Sequence, residues 1–242
     1  MQDNYIGDIG DYGKYGFLRE VCAEGLSLFV NWYRVIPTKK GKQDDGKFIS
    51  YLLNPQKYRT YDPDLFDAIK HIVIADEDRR IARIEQAQLF QATFFTKELK
   101  DRKEWHRQAL EQAKGADVVF LDPDNGLETI RMHRKNCAKS KHVKWEELKD
   151  YYEQGQNVIL YQHRSQGDTK EACIEKIMHF QNEYLMADSV RLLEFPKYTN
   201  RFYFIFLHQK DAPAFKKICS RMTMKWGKDR FCHEIQLGEQ YV

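Results

Sequence analysis

A chain of 242 residues can bury a full core, and its length asks for no more than one domain, 1–242. With 42% hydrophobic and 14% aromatic residues and no internal repeat, the composition excludes long disorder and repeat architectures. The 39 basic and 36 acidic residues leave a net charge of +3, too small to name a partner, and no apolar run approaches a membrane span.

The first ten residues, MQDNYIGDIG, carry neither a basic nor an apolar leader pattern, so a cytoplasmic protein with no membrane partner is expected. They run into NYIGDIGDYGKYGFLRE, where Gly7, Gly10, Gly13 and Gly16 recur every third residue with Asp8, Asp11 and Lys14 between them. An apolar face of Phe17, Leu18, Val21 and Cys22 follows, which Gly25 is placed to end. Glycine at this density weakens a helix entrance, so something should need the backbone close. The functional reading is a loop that delivers backbone amides and Lys14 to an anionic ligand; the plainer one is a flexible leader capped by Asp11. A Walker A loop is excluded, because no GK[ST] follows at the required distance.

LFVNWYRVI (28–36) reads as the first buried strand. Beyond it, TKKGKQDDGKFISYL (38–52) places Lys39, Lys40, Lys42, Asp44, Asp45 and Gly46 where a Rossmann-type enzyme carries its glycine-rich cofactor turn. GxGxxG is absent, so the lysines read as a charged surface and Asp44, Asp45 and Gly46 as candidates to line a site. Asp62-Pro63 supplies an N-cap and a first-turn proline for a helix burying Leu65, Phe66 and Ile69. IARIE (81–85) reads as a strand that ends in Glu85, or as part of a helix within RRIARIEQAQLF. Trp105, Ala109 and Ala113 mark the next helix.

VVFLDPDNGLE (118–128) is a strand that ends abruptly in Asp122, Pro123, Asp124 and Asn125. Asn125-Gly126 alone would satisfy a tight turn, so the two aspartates are the surplus that suggests a site. RMHRKNCAKSKHVK follows, with Arg131, Arg134, Lys135, Lys139, Lys141 and Lys144 and no acid. It reads either as a solvated loop or as a phosphate-contacting surface, which makes nucleic acid a candidate partner through 131–144. Trp145, Leu148 and Tyr152 form a third helical face; NVILYQ (157–162) is a strand followed by His163 and Arg164. A fourth helix opens at Asp168, with Glu171 three positions on, and a fifth at Asp211. Between them, strands 190–195 and 202–207 are separated by PKYTNR, too short for a crossover, so they pair as an antiparallel hairpin. The five cysteines are scattered without a CxxC pair and read as reduced and structural.

Alternating strands and helices predict a single α/β domain: a mainly parallel, Rossmann-like sheet of methyltransferase type with helices on both faces and a C-terminal antiparallel hairpin. In such sheets ligands bind beyond the carboxyl ends of the strands, which singles out Asp122, Asp124, Asn125, His163 and Glu85.

Taken in order, NYIGDIGDYGKYGFLRE, WYRVIP, DDGKFISYL, VFLDPDNGLE, KWEEL and the strand ending YQH resemble a family of uncharacterised conserved bacterial proteins of similar length, over nearly the whole chain. More distantly, the glycine-aspartate-lysine helix entrance and the Asp-Pro strand end resemble the ribosomal-RNA adenine-N6 methyltransferases, which carry Asp-Pro-Pro-Tyr at that strand end. That likeness implies S-adenosylmethionine as cofactor, with Asp122 and Pro123 holding the acceptor amine. It sets Gly7, Asp8, Gly10, Asp11 and Lys14 at the edge of the cofactor pocket. Asp124 stands for the second proline and Asn125 for the aromatic, so base stacking, worth about 1–3 kcal/mol, is not supplied there. An alternative chemistry is a Mg²⁺-dependent nuclease or phosphodiesterase, with Asp122 and Asp124 on the ion and His163 as general base. A binding module without chemistry is the third reading.

Overall fold

The computed structural model describes residues 3, 6–35, 47–137, 139–164 and 167–238. Asp44, Asp45, Gly46 and the three lysines before them lie outside the described residues.

Seven strands form one sheet in the order β2-β1-β3-β6-β8-β7-β9. Strands β2 (Thr93–Phe95), β1 (Leu28–Asn31), β3 (Val118–Leu121) and β6 (Asn157–His163) run parallel, because helical segments connect them. β8 (Arg201–Leu207) is antiparallel to β6, and β7 (Ser189–Phe195) is antiparallel to β8, forming the hairpin that the short PKYTNR connection requires. β9 (His233–Ile235) closes the edge antiparallel to β7.

Register carries the apolar runs into two cores. Phe29, Val119, Val158 and Phe206 lie in one cross-strand row and face one cluster; Val30, Phe120, Ile159 and Ile205 form the next row and face the other. Each of these side chains contributes about 1.5–3 kcal/mol by leaving water, and both faces are dry, so the strands read as continuous rather than alternating apolar runs. α5 (Arg102–Ala113), α7 (Trp145–Glu153) and α8 (Lys170–Phe180) cover the Phe29 face. α1 (Ile9–Ala23), α3 (Pro63–Lys70), α4 (Ile81–Gln86) and α9 (Ala212–Trp226) cover the Val30 face. One helical turn, α2 (Pro55–Tyr58), precedes α3, which Asp62 caps by accepting from the amide of Leu65 at 3.2 Å.

Several local expectations need correction. β1 stops at Asn31 instead of running to residue 36, because Tyr33 takes φ +48° and the Asn31 side chain accepts its amide at 3.0 Å. IARIE is the helix α4: Ile81 and Ile84, three apart, are its buried residues, a helical period. Thr169 rather than Asp168 caps α8, accepting from Ala172, and Asp168 pairs with Lys176 at 2.7 Å. Asp211 precedes α9 without a side-chain cap and instead accepts from Asn157 at 2.7 Å.

The glycine series also stands inside a helix. Gly10, Gly13 and Gly16 form one stripe of α1, and each makes room for a bulky group from the carboxyl-terminal half. A Cβ on Gly10 would fall 2.3 Å from the Arg201 guanidinium, one on Gly13 2.7 Å from the Phe195 ring, and one on Gly16 2.2 Å from the Trp226 indole. Close approach of α1 to β7, β8 and α9 therefore explains a spacing that suggested a ligand loop. Gly16→Ala is expected to lower stability by about 1–3 kcal/mol through overpacking against a rigid ring, more than the gain in helix propensity of up to about 1 kcal/mol. Gly25→Ala, at φ +85° but with open space around it, separates backbone strain from crowding; urea unfolding of both variants checks the difference.

Candidate functional site

The acidic corner stands where the parallel strands end. The amide of Asp122 donates to the Asn31 carbonyl at 3.0 Å, which carries the β1–β3 ladder one residue past β3 and fixes the Asp122 backbone. Its carboxylate is 2% exposed and lies beneath the first turns of α1. Lys14 reaches it from that helix: its ammonium is 2.9 Å from Asp122 Oδ2 and 2.9 Å from Asp11 Oδ1. The other Asp11 oxygen accepts from the Gly7 amide at 3.0 Å and the Tyr15 hydroxyl at 3.1 Å. Asp8 caps α1 by accepting from the Asp11 amide and pairs with Arg201 at 3.2 Å. Amides at the α1 entrance thus meet this chain's own carboxylates.

Asp8, Asp11, Asp122, Lys14 and Arg201 are all buried, three acids against two bases. The crowding of acids in a dry site is felt at Asp11. Burial, with the charges of Asp8 and Asp122 added and that of Lys14 opposed, pushes the Asp11 carboxyl up to about 6. Burial alone would depress the Lys14 ammonium, but the charges of Asp11 and Asp122 outweigh it and hold it well above an ordinary lysine. The Tyr161 ring of β6 lies 5.4 Å from that ammonium, and burial pushes its phenol up to about 12.

Past Asp122 the chain turns under control of β6. Gly126 takes φ +105° with Gln162 packed where a Cβ would stand, so only glycine fits. Gln162 accepts from the Leu127 amide at 2.8 Å and donates to the Asn125 carbonyl at 3.1 Å. β4 (Gly126–Leu127) then pairs in parallel with β5 (His142–Val143), and the excursion between them carries α6 (Ile130–Arg134). Asn125 donates its amide to the Lys141 carbonyl at 3.0 Å, and Asp124 pairs with the Lys141 ammonium at 3.1 Å. Arg131, Arg134, Lys135, Lys139 and Lys141 are exposed, with Lys144 half-buried, so the cationic surface is fastened beside the corner.

A small cavity of about 40 Å³ opens on the other side of this turn, walled by Asn125, Thr129, His142, Gln162, Asp168 and Lys176. Burial first, then the charges of Arg102 and Lys139, push the His142 imidazole down, and its buried Nδ1 has no hydrogen-bond partner among the described residues.

The structure therefore gathers Asp8, Asp11, Lys14 and Asp122, with Asp124 and Asn125 at the next turn. Glu85 sits apart from that cluster: on α4, half-buried, it accepts from the Trp32 indole at 2.9 Å just past the end of β1, and burial raises its carboxyl. His163 ends β6 opposite Arg201, and burial, followed by the Arg201 and Arg164 charges, lowers its pKa. Sequence reasoning passed over Arg201, Gln162 and His142. The register of YQH placed the right strand end but not which of its side chains turns to the corner.

The raised Asp11 carboxyl has a consequence of measurable sign. Asp11 has a raised pKa in the folded state, so its contribution is full below about pH 4 and is lost as pH rises through about 6. Relative to Asp11→Asn, the wild-type protein should lose stability over that window, by at most about 3 kcal/mol at about 1.4 kcal/mol per pKa unit. Urea unfolding of both proteins at several pH values checks this; a difference that grows in favour of wild type with rising pH would contradict it.

No family model matches the sequence, and no curated protein matches it. Among solved structures, the chain is similar to a crystal structure of a Legionella pneumophila protein described by the family model DUF519, with a TM-score of 0.52 over 98% of this chain and 98% of that one. Sequence identity is 14%, so the likeness is one of fold, over the whole length of both chains. Among the described residues, no helix is long and apolar enough to cross a membrane.

Proposed function

We propose that the protein is an S-adenosylmethionine-dependent methyltransferase that acts on an amine of a nucleic-acid base. The observation that carries this reading is Asp122, buried at the carboxyl end of β3 and held by Lys14. The sheet supports it, because parallel strands followed by an antiparallel strand inserted before the last long one, β6-β8-β7, is the arrangement of Rossmann-like methyltransferases.

The cofactor, when bound, supplies an electrophilic methyl group. Glu85, whose half-buried carboxylate accepts from the Trp32 indole just past β1, would be the residue to accept from the cofactor's sugar hydroxyls, while Asp8 and Asp11, engaged with Arg201 and Lys14, would form the floor at the helix entrance. Tyr33, at φ +48°, already bends the backbone past β1 where such enzymes place a glycine turn. Asp122 would accept a hydrogen bond from the acceptor amine and keep the nitrogen lone pair directed at the methyl group; it would then draw off the proton that methylation makes acidic. Lys14 fixes one of its oxygens and prevents rotation. Asn125 offers an amide to the base edge instead of an aromatic face, and the 131–144 surface contacts phosphates.

The metal-dependent phosphodiesterase is weaker, since Asp122 and Asp124 each face a lysine ammonium that Mg²⁺ would have to displace. Calorimetric titration of the metal-stripped protein with S-adenosylmethionine tests the proposal. Wild type and Asp122→Asn should both bind it, with methyl transfer to RNA or DNA reduced about 10²-fold or more in the variant. Absence of cofactor binding, with Mg²⁺ binding lost in Asp122→Asn, would turn the assignment to phosphodiester hydrolysis.

A further inference from the structure

We propose that Glu128, His133 and Glu146 form a site for one divalent transition-metal ion, Zn²⁺ foremost. The three come from separate segments: Glu128 follows β4, His133 lies in the last turn of α6, and Glu146 in the first turn of α7. His133 Nδ1 is 3.3 Å from Glu128 Oε1 and 3.5 Å from Glu146 Oε1, and all three donor atoms lie within 4.8 Å of one another.

The His133 Nδ1–Glu128 Oε1 hydrogen bond is long, and the spacing leaves room for a shared ion. A charge-assisted hydrogen bond closes to about 2.7–2.9 Å. A tetrahedral zinc with bonds of about 2.0–2.2 Å holds its ligand atoms about 3.4 Å apart. The two measured separations fall on either side of that edge length. Among the described residues, the ion pairs of Glu128 and Glu146 run to His133 and to no lysine or arginine, although basic residues crowd the neighbouring sequence.

Trp145 orients the set. Its backbone amide donates to Glu128 Oε1 at 2.9 Å, its indole nitrogen donates to the Glu128 carbonyl at 3.1 Å, and its ring lies flat on His133, centroids 4.3 Å apart at 15°. Such outer contacts fix ligand orientation in metal sites. One imidazole and two carboxylates suit Zn²⁺ and leave a fourth position for water. Glu146 is half-exposed, so the site lies within reach of solvent. The ion would join β4, α6 and α7, and so fasten the basic excursion at its base.

Equilibrium dialysis of the metal-stripped full chain against Zn²⁺ tests this, with intrinsic tryptophan fluorescence, to which Trp145 contributes as one of four tryptophans, as a second readout. Wild type should hold about one Zn²⁺ per chain with a fluorescence change. His133→Ala and Glu146→Gln should each weaken binding about tenfold or more. Glu146 is half-exposed, so its variant keeps the fold. Cys137→Ser, at an exposed thiol nearby in sequence, should bind as wild type does. Failure of wild type to bind, or binding undiminished in His133→Ala and Glu146→Gln, would overturn the site.

Discussion

Burying charge is the constraint around which this structure is arranged. A lysine and an aspartate brought together from positions 14 and 122 must be dry and paired, since removing either partner of such a pair costs about 3–5 kcal/mol. That requirement fixes how α1 lies on the sheet. To place Lys14 over the end of β3, the helix must run close to β7, β8 and α9, and its glycine stripe is what permits the approach. The entrance of α1 then brings Asp8 to Arg201, so the amino-terminal helix and β8 are tied to one polar cluster.

Much of the fold was legible in apolar runs. VVFL and the VIL of NVILYQ are buried on both faces without a polar interruption, so they read as strands from composition, and the helices between them make them parallel. The hairpin was legible because a connection of six residues cannot cross over a sheet. IARIE misled because a short apolar run fits either period, and its two buried isoleucines are a helical turn apart. β2, β4, β5 and β9 are two or three residues long and leave no periodic signal.

The site was legible only in part, for a similar reason. Asp122 announced itself as a surplus carboxylate after a strand. Lys14 was legible as a polar residue of a helix entrance but not as the partner of a carboxylate more than 100 residues later, and Arg201, the partner of Asp8, read as the last residue of a connection. The glycines drew attention to the right helix with the wrong cause: they serve packing, and the polar residues between them serve the cluster. Glu128, His133 and Glu146 follow no recognised spacing, and only the return of β5 beside β4 brings α6 and α7 together.

That return has a consequence for how the protein can vary. With Gly126–Leu127 and His142–Val143 paired as two adjacent posts, the ends of the excursion are set independently of what lies between them. Doubling the length of such a connection costs only about 0.6 kcal/mol in closure entropy. The basic segment is thus an exchangeable module, able to lengthen or shorten while the acidic corner keeps its shape.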